Sequence, residues 1–266
     1  IPESSFVNEP TPEGEPTIIA INSTNRVVYR FYSGTVSQDN ICETIPPASP
    51  AVTDQWTATD GEIQITTTAV KTTNTTTGRT TITGYNHNIV FKNITFDKGD
   101  GTSFVKETFP FGDYVTTATT LPFGFDEVVE QCTTSKQIYN YTSSEALTLD
   151  DIDPDLIKNE ITPLDTPRTG LIGTTTNKLV YRLYSNGVLT PSYFCNTTTP
   201  TLPTKSEEWI ANAGVANVSG IIEVTTTSVL GTFIHKIVLK KVILTSGNSN
   251  FTLGDSYIYG ELITTN

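Results

Sequence analysis

Apolar and polar residues alternate along most of this chain with the period of two that marks β-strands. In residues 26–33, Val27, Tyr29 and Phe31 share one face while Val28, Arg30 and Tyr32 share the other. Residues 178–185 repeat the pattern, with Leu179, Tyr181 and Leu183 against Val180, Arg182 and Tyr184. Both faces carry apolar or amphipathic groups, as in a central strand of a sandwich. Residues 62–70 alternate with Ile63, Ile65, Thr67 and Ala69 facing in. The most apolar stretches are 89–96 and 237–244, where a polar pair in the middle predicts a bulge or burial of both faces at the ends. Lys98-Gly-Asp-Gly101 and Ser246-Gly-Asn-Ser249 read as hairpin turns. Pro46, Pro47 and Pro50, matched by Pro200 and Pro203, exclude a central strand between each Cys42/Cys195 and the tryptophan that follows. One helical turn is predicted, over residues 151–159.

The pattern occurs twice. Asn25-Arg-Val-Val-Tyr-Arg-Phe-Tyr-Ser33 returns as Asn177-Lys-Leu-Val-Tyr-Arg-Leu-Tyr-Ser185. Behind it Cys42 maps to Cys195, Trp56 to Trp209, residues 64–70 to 223–229, and His87 to His235. Gly112-Asp113 is matched with Gly254-Asp255. So long a period marks two copies of a whole domain rather than solenoid or propeller units. The expected fold is all-β: two tandem homologous β-sandwich domains, Ig-like or jelly-roll-like, of six or seven short strands each. Their expected bounds are 17–142 and 169–266. Residues 1–16, with four prolines among glutamates, read as an extended tether, and 143–168 as an acidic linker.

Composition supports strands over helices. There are about 50 threonines, whose branched Cβ suits a pleated strand, and no methionine. No run of residues is apolar enough for a membrane span. The net charge of −12 is concentrated at Glu3, Glu9, Glu13 and Glu15 and in residues 143–168, which leaves the repeats close to neutral. A nucleic-acid partner is therefore not expected, since the basic footprint is absent.

Candidate chemistry is sparse. Three buried thiols are the expected state of the cysteines, and the candidate disulfide, should one form, is Cys42–Cys132 closing the first repeat. The only histidines, His87 and His235, are repeat equivalents with no oriented nucleophile or metal ligand beside them in sequence, and a structural role is expected. Asp97-Lys-Gly-Asp-Gly101 and residues 150–155 cluster carboxylates but lack the calcium-loop pattern, so they read as solvated turns. Trp56 and Trp209 are expected as core plugs between sheets; exposed, they would instead be platforms for sugar rings. Asp113/Asp255 is the one acidic pair marked by both copies. Seven Asn-x-Ser/Thr sequons occur where chance gives about five, so they carry little weight. No cofactor, metal site or catalytic set is expected.

The stretches Trp56-Thr-Ala-Thr-Asp-Gly-Glu-Ile-Gln-Ile-Thr-Thr67 and Thr83-Gly-Tyr-Asn-His-Asn-Ile-Val-Phe-Lys-Asn-Ile-Thr-Phe96 resemble uncharacterised surface lipoproteins of Bacteroidota. The resemblance implies Thr/Asn-rich β-domains behind an acidic tether. It also implies a place on the extracellular face of the outer membrane, or secretion, with any membrane contact through a lipid anchor upstream of residue 1. The expected function is a non-catalytic interaction or scaffold module, accessory to an outer-membrane or other cell-surface protein complex. The alternative is a glycan-binding accessory to polysaccharide capture, using Tyr29, Tyr32, Tyr181, Tyr184 and the tryptophans. The loops diverge: 71–79 shrinks to little more than Leu230-Gly231 in the second copy, while 211–219 enlarges it. Divergent loops on a duplicated scaffold predict that one half does most of the binding.

Overall fold

The computed structural model describes residues 1–196 and 198–265, and the chain is all-β. It divides into two compact units, Ile1–Val70 with Gly84–Ala118, and Lys71–Thr83 with Thr119–Asn266. Unit 1 carries β1 (Thr17–Ala20), β2 (Val28–Tyr32) and most of β3 (Val52–Thr73), β4 (Thr80–Asp97) and β5 (Ser103–Thr117). The sheet order is β1-β3-β4-β5, with β2 pairing the first half of β3 and β1 the second. Its core gathers Ile21, Ala58, Ile63, Ile65, Ile89, Phe91, Ile94 and Phe96.

Unit 2 adds β6 (Val128–Gln131), β7 (Ile138–Tyr141), β8 (Glu145–Asp150), β9 (Arg168–Leu171), β10 (Lys178–Ser185) and β11 (Thr204–Ala211). It continues through β12 (Ile221–Val229), β13 (Thr232–Lys240), β14 (Ile243–Ser246), β15 (Ser249–Thr252) and β16 (Tyr257–Thr265). These join in one curled sheet of order β15-β14-β11-β10-β8-β7-β6-β16-β13-β12-β9.

The repeat is visible in strand pairing. Tyr29 lies opposite Trp56 and Tyr181 opposite Trp209, with a bulge after Phe31 in one copy and after Leu183 in the other. Ile89 faces Gly112 and Ile237 faces Gly260, again with a bulge at the next residue. Gly112 therefore corresponds to Gly260 and not to Gly254, which correctly belongs to the turn between β15 and β16. The expected break in 89–96 and 237–244 is real: Asn93 and Lys241 both have positive φ, at 51° and 49°. It leaves β4 continuous, whereas β13 and β14 separate there. Copy one thus has fewer and longer strands than expected.

Three domain bounds differ from the sequence reading. The first repeat does not run to residue 142, because Thr119 onward belongs to unit 2, where β6 and β7 pair. Residues 1–16 are not a free tether. Phe6 packs on the unit 1 core, and Thr11 exchanges hydrogen bonds with the Thr67 backbone in β3. Residues 143–168 are not a linker, because β8 is a buried strand between β7 and β10. Leu147 and Leu149 are fully buried, each worth about 1.5–3 kcal/mol of apolar transfer. Of the seven acids that suggested solvation, five follow this strand, Asp150 ends it, and Glu145 opens it with its side chain buried. Residues 151–159 form single hydrogen-bonded turns instead of a helix, with Asp151 at positive φ and Pro154 removing a donor.

Candidate functional site

Each histidine sits fully buried at the same place in its unit. Thr67 Oγ1 lies 2.8 Å from His87 Nδ1, and Thr116 Oγ1 lies 3.0 Å from Nε2. Thr116 donates its own proton to Asn8 Oδ1, so Nε2–H donates to Thr116 and Nδ1 accepts from Thr67. The second copy repeats these contacts, with Thr226 at 2.8 Å, Thr264 at 2.9 Å and Thr264 donating to Asn159, and adds Asn159 Oδ1 at 3.2 Å from Nε2 and Arg168 donating to Thr226. Burial holds both imidazoles below the usual histidine value, and Arg168 adds to this at His235. Each ring is neutral and saturated by hydroxyls, tying the segment before the first strand to the sheet. Asn8-Glu-Pro-Thr-Pro12 and Asn159-Glu-Ile-Thr-Pro163 are thus part of the repeat. That shared pattern was the signal that could have located these segments.

The acidic turns close on themselves. Asp97 accepts from the Gly99 N–H, Asp100 from the Thr102 N–H and hydroxyl, and Asp155 pairs with Lys158 at 2.7 Å. Among the described residues, no three His, Cys, Asp or Glu side chains gather as metal ligands. Asp113 accepts from Asn88 and Asn86, which lower its pKa, and it has no counterpart in Asp255, whose N–H donates to the Thr77 carbonyl. Asn140 is buried with its amide on the Asp126 and Tyr259 carbonyls, so its sequon is closed to modification in the folded chain. Residues 71–79, expected as a divergent binding loop, brace unit 2, with Arg79 4.4 Å above the Phe123 ring.

The expected buried thiols and the candidate Cys42–Cys132 pairing are both corrected: the disulfide is Cys132–Cys195. Cys132 follows β6, which pairs within unit 2, and that brings it to Cys195 with 5.2 Å between Cα atoms. Cys42, the repeat equivalent of Cys195, is free and exposed.

The two units part company at the edges of their equivalent strands. In unit 2, β8 pairs with β10, and β6 runs parallel to β16. In unit 1, among the described residues, β2 pairs only with β3, and β5 ends its sheet. Side chains follow suit. Tyr181 is 0% exposed and its counterpart Tyr29 43%; Tyr259 is 1% exposed and its counterpart Phe111 60%. A Cβ on Gly260 would meet Val129 and the Glu127 carbonyl, whereas one on Gly112 meets nothing.

Two apolar clefts open in unit 1 as a result. One, of about 300 Å³, is lined by Tyr29, Phe31, Trp56, Phe96, Phe104 and Phe109, with Lys106 at its rim. The other, of about 570 Å³, lies along Val27, Val28, Phe91, Phe111 and Tyr114. Trp209 is the expected core plug, but Trp56 is half-buried among Tyr29, Phe31 and Phe104 at 5.0–5.8 Å, with the Lys98 ammonium 5.2 Å from its ring. Each indole N–H donates to the carboxylate two residues before it, Asp54 or Glu207. Sequence reasoning placed both tryptophans alike because the residues around them match; what differs is the coverage.

No known protein family, curated protein or solved structure matches the chain.

Proposed function

We propose that this chain is a non-catalytic interaction module built from two copies of one β-sandwich-like domain, and that unit 1 is the copy that binds. The observation that carries this reading is the contrast between equivalent residues: Tyr29 and Phe111 are open where Tyr181 and Tyr259 are sealed. An apolar, aromatic cleft beside unpaired strand edges suits a protein partner. The disulfide fits an oxidising compartment. Placement at a cell surface, as accessory to an outer-membrane complex, rests on the resemblance to surface lipoproteins.

Photo-crosslinking from benzoylphenylalanine at position 111, with position 229 in unit 2 as control, tests the reading. Adducts with a defined polypeptide from 111 and not from 229 are expected. Adducts from neither position, or from 229 alone, would contradict it.

A glycan-binding role is the second reading, favoured by a polar pocket of about 330 Å³ in unit 2. Tyr184, Tyr193 and Phe194 stand there beside Arg182, Glu208 and Asp150. Tyr193→Ala abolishing retention on a polysaccharide column would move the assignment to that pocket.

A further inference from the structure

Resting on unit 1 as the binding copy, we propose that its clefts accept a β-segment in trans from a partner polypeptide. The segment is of the kind that residues 121–150 form in unit 2, and Cys42 then bonds to that segment's cysteine. Unit 2 displays the occupant. Phe123 stacks on Tyr181 at 4.2 Å and meets Phe251 at 5.7 Å and Tyr257 at 6.1 Å. The counterparts Tyr29, Phe104 and Phe109 line the smaller cleft of unit 1, whose volume suits one or two phenyl rings. Glu145 accepts from the Tyr181 hydroxyl at 2.6 Å and from the Phe123 and Gly124 N–H groups. A carboxylate from the partner strand would meet the Tyr29 hydroxyl in the same way.

Register follows from the repeat. β8 runs antiparallel to β10 with Glu145 opposite Leu183 and Asp150 opposite Lys178. On unit 1 the incoming strand would therefore set its Glu opposite Phe31 and its last acid opposite Arg26. A second strand would run parallel to β5 beside Gly112, where there is room for it.

The cysteines supply an independent observation. In unit 2 the bond from Cys195 reaches the segment itself, at Cys132. Cys42 holds the place of Cys195 in unit 1 and is exposed. The step is thiol–disulfide exchange. The Cys42 thiolate attacks the partner's sulfur in an existing disulfide, and the new S–S bond forms as the old one breaks. The leaving thiolate departs with the electron pair and takes the proton that Cys42 gave up, so the number of disulfides is unchanged.

The test uses the full chain, whose single free thiol is Cys42, and a synthetic peptide of residues 121–150 carrying Cys132 as a thionitrobenzoate mixed disulfide. Docking raises the local concentration of the reacting sulfurs. Release of thionitrobenzoate should therefore be about 100-fold faster than with a scrambled peptide. Cys42→Ser should abolish release, and a Phe123→Ala peptide should be about 10-fold slower. A Cys132→Ser peptide should still shift Trp56 emission to the blue.

Equal rates for native and scrambled peptides, with no emission shift, overturn the proposal. An emission shift without accelerated release overturns the cysteine step. If crosslinks from position 111 persist when the peptide fails, docking stands and strand donation falls; if both fail, unit 1 is not the binding copy.

Discussion

Gly112→Ala and Gly260→Ala form a matched pair that separates backbone cost from coverage. The two glycines occupy the same bulge, with φ of 147° and 150°. An alanine forced into that region costs about 1–3 kcal/mol in either unit. Only at Gly260 does the added methyl meet a neighbour, the Val129 side chain and Glu127 carbonyl on the chain leading through β6. Overpacking there adds about 1–3 kcal/mol. Gly260→Ala should therefore destabilise unit 2 by about 1–3 kcal/mol more than Gly112→Ala destabilises unit 1. Urea unfolding followed by fluorine NMR of fluorotryptophan reads both units in one sample, because Trp56 reports unit 1 and Trp209 unit 2. Equal losses would refute the claim that the same strand is covered in one copy and open in the other.

Tyr259→Ala should cost unit 2 about 3–5 kcal/mol, since the ring is buried and its hydroxyl lies 2.9 Å from the Ile138 and Leu147 carbonyls, while Phe111→Ala should cost unit 1 under about 1 kcal/mol; chemical denaturation of each variant checks the contrast. Both histidine pKa values are lowered on folding, so the unfolded chain binds a proton that the buried rings refuse. Stability should be full above the ordinary value of 6.5 and decline as pH falls below it, and a His87→Gln/His235→Gln chain should show a flatter melting profile from that value down to about pH 5. Cys132→Ser/Cys195→Ser should lose about 2–4 kcal/mol in unit 2 by thermal unfolding, whereas Cys42→Ser should leave the melting temperature unchanged.

The all-β class, the hairpin turns at 98–101 and 246–249, and the mid-strand break were legible because alternation and turn residues act locally. So was the structural setting of the histidines. The disulfide was not legible, because repeat logic pairs Cys42 with the position of Cys195 but says nothing of which sheet Cys132 joins. The segment 119–150 was misread for a related reason: it has no second copy in this chain, so comparing the repeats assigned it to the wrong neighbour. Acids at 150–155 masked the apolar Ala146, Leu147 and Leu149 just before them. The open clefts of unit 1 were hidden because Tyr29 and Tyr181 look alike in sequence, and only the strand beside each tells them apart.

Amide hydrogen exchange along β2 and β10, with and without the 121–150 peptide carrying Cys132→Ser, tests the central claim most directly. In the free chain, β10 should be protected throughout, while those β2 amides that do not bond to β3 should exchange freely. With the peptide bound, the same β2 amides should slow by at least about 10-fold while β10 stays as it was. Uniform protection of β2 in the free chain, or no change on adding the peptide, would contradict the account.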